Sequence, residues 1–350
     1  MYPARSALYC APIRAVWAIA MTADELDVVA VGNAIVDVLS HADDGFLRHH
    51  GLSKGAMTLL DAPAAEALYA RMGPGLEMSG CSAANTMAGL ASCGGTGAFI
   101  GRVADDQLGQ VFRHDIRAAG VAFDTPSASD GRATARCLIL VTPDAQRTMA
   151  TFLGASAELT PADIDPELIG RARFTYLEGY LWDPPGAREA LRKAMRLSRE
   201  KGRKVAFTLS DPFCVERHRR EFLELLSGQV QVLFANEAEI RSLHGVDSFE
   251  SALERTRGRC EIAVLTRSGL GSVIVTDKII HVVPAAHVDR VVDTTGAGDL
   301  FAAGFLYGLA RGHGPAEAGR MGAIAAAEVI SHMGARPQMA LGPLVRAALA

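Results

Sequence analysis

The 350-residue sequence lacks several features that mark membrane, nucleic-acid-binding or secreted proteins. It has no run of about 20 uninterrupted apolar residues, so we expect no membrane-spanning helix and no membrane partner. Its 35 Lys and Arg are scattered and are outnumbered by 39 Asp and Glu, so nucleic acid is not an expected partner. Its six cysteines form no C-x-x-C pair and no metal-like spacing with histidine, which indicates a reduced, cytoplasmic setting.

Aromatic residues are also few, at 6%, but 49% of the residues are hydrophobic, which is enough to build a buried core. We expect residues 1–24 to be a poorly ordered N-terminal extension. A signal or transit segment is the alternative, because Arg5 and Arg14 precede an apolar run at 15–21. Residues 25–340 are predicted to form the α/β body, with 341–350 as a C-terminal tail.

Short β-branched runs alternate with helical patterns from residue 25 onward, which is typical of strand–helix units around a mostly parallel sheet. The clearest predicted helix spans 187–201, with two prolines before it and Gly202 after it. The predicted buried strands are 26–31, 174–177, 204–209, 230–234 and 262–266.

Two segments, at about 35–60 and 133–152, show strand-like alternation with no intervening helical pattern. This favours antiparallel strands. Because both segments leave the α/β body and rejoin it, we expect them to pair as a small sheet over one edge, where it would act as a lid.

The segment V-V-D-T-T-G-A-G-D at 291–299 runs directly into the apolar helical pattern L-F-A-A-G-F. Gly296 and Gly298 allow consecutive backbone N–H groups to point into one concavity, and the helix start adds positive dipole, which predicts an anion site. Asp299 would repel the anion, so its presence indicates a task such as accepting a proton from an attacking hydroxyl. The alternative is an ordinary helix start with Asp299 compensating the dipole.

Competing glycine motifs are absent, because the first strand ends in G-N-A rather than G-x-G-x-x-G and no G-x-x-x-x-G-K-[ST] occurs. The D-T-T-G-A-G-D segment instead resembles the signature of the ribokinase-like, or PfkB, carbohydrate kinases. N-E-A-E at 236–239 is similar to the family's N-x-x-E element, 101–109 to its upstream glycine signature and 266–271 to its nucleotide loop. The resemblance covers roughly residues 25–338. It implies a three-layer α/β/α domain with a mostly parallel sheet and a small β-sheet lid.

Within that family, the residues resemble adenosine kinases and their bacterial relatives. The resemblance implies that Asp37 and Asn85 bind a ribose and that Tyr180 stacks on a purine, although Tyr180 could instead be a core residue. The full set of implied substrate-binding residues is Asn33, Asp37, Gly80, Cys81, Ser82, Asn85 and Tyr180.

The resemblance also implies the reaction, which transfers the γ-phosphoryl group of ATP to a primary hydroxyl. Asp299 would be the general base, and the anion hole would consist of Gly296, Ala297 and Gly298. Asn236 and Glu239 would organise Mg²⁺, mainly through water. The implied ATP-binding residues are Asn236, Thr266, Gly269 and Gly271. The segment around Asp289 and Ala335 resembles regions where some relatives bind K⁺.

Two positions depart from the family pattern. Cys81 replaces the second glycine of a usual Gly-Gly pair, where a side chain restricts φ and crowds the sugar. A reactive thiol of lowered pKa is an alternative interpretation of Cys81. Ser268 stands where the nucleotide loop often has glycine.

The predicted function is therefore a nucleoside kinase with adenosine as the leading acceptor. The first alternative keeps the reaction and changes the acceptor to a free sugar such as ribose or fructose. The second is a non-catalytic protein that binds a nucleoside and signals its presence. The sequence leaves open whether the protein is a monomer or a homodimer.

Overall fold

The structure is a computed structural model that describes residues 25–129, 131–144 and 146–347. The predicted extension at 1–24 lies outside these residues. The strands are β1 (Leu26–Val31), β2 (Ile35–His41), β3 (Met57–Leu59), β4 (Gly75–Gly80), β5 (Gly97–Ile100), β6 (Ala135–Val141), β7 (Arg147–Phe152), β8 (Ala172–Glu178), β9 (Lys204–Thr208), β10 (Val232–Asn236), β11 (Ile262–Thr266), β12 (Ser272–Thr276) and β13 (Ile280–Val283).

The helices lie between these strands and after the last of them. They are α1 (Asp44–His49), α2 (Ala62–Tyr69), α3 (Ser82–Cys93), α4 (Gln107–Ala118), α5 (Pro166–Arg171), α6 (Pro185–Glu200), α7 (Pro212–Leu226), α8 (Glu237–His244), α9 (Phe249–Thr256), α10 (Ala297–Ala310), α11 (Pro315–Val329) and α12 (Leu341–Ala347). Short 3₁₀ turns cover Gly154–Glu158, Pro161–Asp163, Gly179–Trp182 and Ser268–Leu270.

The larger sheet has the strand order β13-β12-β11-β10-β9-β8-β1-β5. The six strands from β11 to β5 are parallel, and β12 and β13 extend the sheet antiparallel. Along β1, Val28 and Ala30 face one apolar core while Val29 and Val31 face another. One core includes buried residues of α3, α10 and α11, and the other includes those of α5 to α9. This three-layer α/β/α arrangement confirms the predicted fold class.

Helix α6 has the local sequence signals from which a helix was predicted at 187–201. Pro185 occupies its first turn, where a missing N–H costs nothing. Ala190, Leu191 and Ala194 are buried on one face, and Gly202 beyond the end has a φ of 66°. The observed bounds differ from the predicted ones by one residue at the end and two at the start.

The second sheet has the strand order β3-β7-β6-β2-β4, so strands from both segments that lack helical periodicity lie in it. The predicted antiparallel pairing is wrong for β2 with β6 and for β3 with β7, which are parallel. The prediction that 35–60 contains no helix is also wrong, because α1 lies within it. The Asp43 side chain caps this helix by accepting from Phe46 N. The alternation of apolar and polar residues predicts which face of the sheet each side chain takes. It does not predict which strand is the neighbour or whether the two run parallel or antiparallel.

The end of the chain also differs from its prediction. Residues 341–347 form α12 rather than a tail, and Leu341 and Val345 are fully buried in the core that contains α3. None of the helices within the described ranges is long and apolar enough to cross a membrane.

Candidate active site

A cleft of about 220 Å³ opens at the carboxyl ends of β8, β9, β10 and β11. Open α/β sheets bind ligands at this edge. The starts of α3 and α10 close the other side. The cleft is lined by Ser82, Tyr176, Thr208, Ser210, Phe234, Ala235, Asn236, Glu239, Val264, Thr266, Gly298 and Asp299.

The predicted anion turn forms the start of α10. Gly296 is the residue before the helix and has a left-handed φ of 79°, and an added Cβ would lie 2.9 Å from Ala335 Cα. The N–H of Ala297 points to Thr294 O at 3.3 Å. A Cβ at Gly298 would meet open space, so the backbone at Gly298 faces the cleft directly. The first N–H groups of a helix have no partner within it and commonly bind anions, but that of Ala297 is already engaged by Thr294 O in this structure.

Asp299 lies in the first turn of α10, partly buried and facing the cleft. Ser82 Oγ donates to Asp299 Oδ1 at 2.7 Å, and Asn85 Nδ2 donates to Asp299 Oδ2 at 3.0 Å. Burial raises the pKa of Asp299, and these two hydrogen bonds lower it. Ser82 and Asn85 were predicted to bind substrate. In this structure their side chains fix the orientation of the Asp299 carboxylate, the predicted general base.

Glu178 is a fully buried carboxylate that the sequence interpretation did not single out. Its Oε1 accepts from Asn33 N and Asn33 Nδ2, both at 2.7 Å, and its Oε2 accepts from Ala83 N at 3.0 Å. Burial raises the pKa of Glu178 to about 7, against the lowering effect of these bonds. Glu178 therefore joins the ends of β1 and β8 to the start of α3. The Asn33 side chain, predicted to contact substrate, is turned onto Glu178.

Asp37 lies on β2 of the second sheet and is 9% exposed. A Cβ at Gly80 would collide with its carboxylate, which explains glycine at that position by close packing. Burial raises the pKa of Asp37 to about 7, while the charges of Arg336 and Arg147 lower it. The structure thus brings Asp37 and Gly80 together, and their contact with a ribose stays a prediction.

Cys81 occupies the turn between β4 and α3 with φ 73° and ψ 156°, a region that essentially only glycine adopts. The expectation that a side chain here strains the backbone is therefore confirmed. Burial raises the pKa of the Cys81 thiol well above its usual range, and the charges of Glu178 and Asp37 add to this. The alternative of a reactive thiol with a lowered pKa is wrong.

Replacing Cys81 should reveal this strain. Backbone strain of this kind costs about 1–3 kcal/mol. Glycine removes the strain but loses more conformational entropy on folding than alanine, which costs about 0.5–1 kcal/mol of stability. We therefore expect Cys81→Gly to be about 1 kcal/mol more stable to urea unfolding than Cys81→Ala, which removes the thiol but keeps the Cβ. An alanine variant as stable as the glycine variant would refute the strained turn.

Asn236 and Glu239 stand where β10 ends and α8 begins. Glu239 accepts from Asn236 N at 3.0 Å and Asn236 Nδ2 at 2.5 Å, and Glu239 N donates to Asn236 Oδ1 at 2.9 Å. This reciprocal cap occupies both side chains. Burial raises the pKa of Glu239 to about 7, and the charges of Asp211 and Asp299 add to this.

These two side chains suit a magnesium ion that keeps most of its water. No group of three or more His, Cys, Asp and Glu side chains that could hold a metal occurs in the described ranges. Mg²⁺ commonly takes one or two carboxylates and completes its shell with water and phosphate oxygens. A buried carboxylate whose pKa is raised is stabilised in its charged form by a nearby cation, so Glu239 fits this kind of site.

The remaining predicted residues differ in whether they line the cleft. Thr266 lines it, whereas Tyr180, Gly269 and Gly271 are not among its lining residues. Tyr180 Oη donates to Ser210 O at 3.3 Å. This contact does not test whether the Tyr180 ring stacks on a purine, which stays a prediction. A Cβ at Gly271 would collide with Val283 O, which gives this glycine a packing reason of its own.

Arg147, on β7 of the second sheet, contacts the anion turn directly. Its Nη1 donates to Thr295 Oγ1 at 2.6 Å, and its Nη2 is paired with the carboxylate of Asp293. The second sheet is therefore attached to the turn that begins α10. The sequence interpretation named Asp293 only as part of the motif and did not identify Arg147.

A helix that starts after a left-handed glycine, with an ionisable carboxylate in its first turn at the carboxyl edge of a parallel sheet, is an arrangement suited to phosphoryl transfer. Comparison with known proteins agrees. Residues 77–340 match the model of the pfkB family of carbohydrate kinases. The chain belongs to this family and is an ATP-dependent kinase, so ATP is its expected co-substrate.

Individual relatives match between 81% and 93% of the chain. A probable sugar kinase from Rhizobium etli has 48% identity and a TM-score of 0.88, covering 93% of this chain and 98% of its own. An adenosine kinase from Sinorhizobium meliloti has 49% identity and a TM-score of 0.87, covering 93% and 99%. The adenosine kinase of Saccharomyces cerevisiae is 27% identical over 308 residues, covering 81% of this chain and 89% of its own.

Proposed function

We propose that this kinase transfers the γ-phosphoryl group of ATP to the primary hydroxyl of a nucleoside, with adenosine as the leading acceptor. The observation that carries the proposal is the position of Asp299. It faces the cleft from the first turn of α10, beside Gly298, held by hydrogen bonds from Ser82 and Asn85.

In the proposed mechanism, Asp299 accepts the proton of the attacking hydroxyl as its oxygen forms a bond to the γ-phosphorus. The bond from that phosphorus to the bridging oxygen of ATP breaks, and ADP leaves. Backbone N–H groups at Gly296 and Gly298 stabilise the transferring group, each worth about 3–4 kcal/mol when well aimed. The N–H of Ala297 would have to leave Thr294 O to join them.

The ATP side of the cleft is assigned to Asn236 and Thr266, with Gly269 and Gly271 in the following loop. Mg²⁺ would neutralise charge on the phosphates, and Glu239 with Asn236 would hold its water ligands. The second sheet would act as a lid that excludes water from the acceptor. Its contact through Arg147 to Thr295 supports this part of the proposal.

A free sugar is the second candidate acceptor. The Rhizobium etli relative, described as a probable sugar kinase, favours it at 48% identity. The Sinorhizobium meliloti adenosine kinase favours a nucleoside at 49% identity. Identity therefore does not separate the two candidates. They differ in whether the enzyme gains binding energy from a base.

Measurement of ATP consumption with adenosine, inosine, ribose and fructose tests the acceptor. Stacking of a base on an aromatic ring is worth about 1–3 kcal/mol, so we expect kcat/KM for adenosine to exceed that for ribose by about 10- to 100-fold. Tyr180→Ala should reduce this preference and leave ribose turnover unchanged.

A strong preference of the wild-type enzyme for ribose or fructose would contradict the nucleoside acceptor. An equal loss with every acceptor in Tyr180→Ala would assign Tyr180 to the core. If calorimetry detected adenosine binding but no phosphorylated product formed with any acceptor, the non-catalytic sensor would be favoured instead.

A further inference from the structure

Arg336 lies behind the glycine turn, in the loop between α11 and α12. Two neighbours attach this loop to the turn. Gly334 N donates to Asp293 Oδ2 at 2.8 Å, and Ala335 packs against Gly296. The loop therefore contacts both the beginning of the glycine turn and the residue that precedes α10.

The Arg336 guanidinium makes four hydrogen bonds on the other side of the loop. Nε and Nη2 donate to Ser79 O at 3.1 and 2.9 Å, and Nη2 also donates to Ser79 Oγ at 2.8 Å. Nη1 donates to Ala84 O at 2.9 Å. Ser79 is fixed in turn because its N and Oγ both donate to Asp115 Oδ2 at 2.7 Å. Arg336 thus joins the end of β4 to the first turn of α3.

That turn of α3 is the one that orients Asp299. Ala84 lies between Ser82 and Asn85, whose side chains donate to the two carboxylate oxygens of Asp299. A displacement of this turn would move both donors at once. Arg336 therefore acts on Asp299 through the backbone that it holds.

Arg336 also acts by its charge on Asp299, which lines the cleft, and on Asp37, which lies on β2. Burial raises the pKa of Asp37 to about 7, and Arg336 makes the largest opposing contribution. Burial likewise raises the pKa of Asp299, and Arg336 lowers it together with the hydrogen bonds from Asn85 and Ser82. Burial lowers the pKa of Arg336 itself to about 10, which leaves it charged at neutral pH.

On the basis of the phosphoryl transfer proposed above, we propose that Arg336 is a positioning residue that orients Asp299 through the α3 turn and supplies a positive charge that acts on Asp299 and Asp37. Asp299 and Arg147 also act on Asp37 by their charges, and the other titratable groups that feel the charge of either carboxylate are acidic or neutral. The acidic or neutral groups are Cys81 before α3, Cys137 on β6, Tyr176 and Glu178 on β8, and Glu239 on α8.

The pH dependence of kcat/KM in Arg336→Gln and Arg336→Lys tests this role. In a plot of kcat/KM against pH, the acidic limb is the low-pH side, where activity falls as the base is protonated. Removing a positive charge raises the pKa of a carboxylate, so for Arg336→Gln this limb should move to higher pH by about one unit. Arg336→Lys keeps the positive charge but loses the several guanidinium donors that bind Ser79 and Ala84 together. Its acidic limb should therefore stay near that of the wild type while kcat falls.

Arg117→Gln is the matched control. Arg117 Nε and Nη2 donate to Phe123 O at 3.0 and 2.6 Å, the same forked contact to a backbone carbonyl. Arg117 does not line the cleft. We expect its acidic limb to coincide with that of the wild type.

An unchanged acidic limb in folded Arg336→Gln would overturn the electrostatic role and leave only a structural one. If Arg336→Gln does not fold, Arg336→Lys decides alone: a fall in kcat with the acidic limb at the wild-type position supports the proposal, and an unchanged kcat overturns it. Failure of the wild-type enzyme to transfer phosphate at any pH would refute the proposed function itself, which distinguishes the two failures.

Discussion

Asp299→Asn is expected to reduce kcat about 10³-fold while ATP binding, measured by calorimetry, stays nearly unchanged. The reason is that the amide cannot accept the proton of the attacking hydroxyl, whereas the backbone N–H groups at Gly298 and its neighbours remain in place. The fold should be retained. Asn85 Oδ1 is buried and has no hydrogen-bond partner among the described residues, so a flip of its amide would present this oxygen to the new NH₂ group.

Asp211→Asn is the matched control for the loss of a carboxylate near the cleft. Asp211 caps α7 by accepting from Cys214 N at 2.7 Å, and asparagine caps helices equally well. Its charge acts on Glu239 as that of Asp299 does. We expect less than about a tenfold change in kcat. Near-normal turnover in Asp299→Asn, or an equal loss in both variants, would remove Asp299 from the role of base.

Glu178→Ala is expected to lower the free energy of unfolding by about 3 kcal/mol or more. Three donors, Asn33 N, Asn33 Nδ2 and Ala83 N, would lose their acceptor, and a buried donor without a partner costs about 1–3 kcal/mol. Turnover should fall as well, because the start of α3 would lose its attachment to β1 and β8. Urea unfolding at pH 8, followed by circular dichroism, measures the effect.

Glu221→Ala provides the comparison for Glu178→Ala. Glu221 also accepts from several donors, namely Trp182 Nε1, Arg188 Nη1 and Arg192 Nη2. Its side chain is 23% exposed, so water can replace its carboxylate. We expect a loss of about 1 kcal/mol or less. A similar small loss in Glu178→Ala would show that Glu178 does not hold the site together.

Five strands of the larger sheet, β1 and β8 to β11, were predictable because they are mostly buried on both faces. The strands at 26–31 and 262–266 were predicted with their observed bounds, since each is a short apolar run between turn residues. The second sheet was less predictable. Strand β4 was not identified, and the parallel pairing of β2 with β6 depends on partners about 100 residues away in sequence.

The residues of the candidate site were identified unevenly for a related reason. Gly296 and Asp299 belong to a short motif whose local geometry explains an anion site, so their placement could be argued from neighbours in sequence. The importance of Glu178 and Arg336 depends on distant partners. Glu178 binds residues 145 and 95 positions away, and Arg336 binds Ser79 across 257 positions. A carboxylate at a strand end or an arginine in a loop has no local signal for such contacts.

Phosphorus NMR of the wild-type enzyme with MgATP and adenosine is the most direct test of phosphoryl transfer to a primary hydroxyl. We predict a phosphomonoester resonance that grows in step with ADP and does not form when 5′-deoxyadenosine, which lacks that hydroxyl, replaces adenosine. Release of inorganic phosphate without a phosphomonoester, or product formation from 5′-deoxyadenosine, would contradict the account.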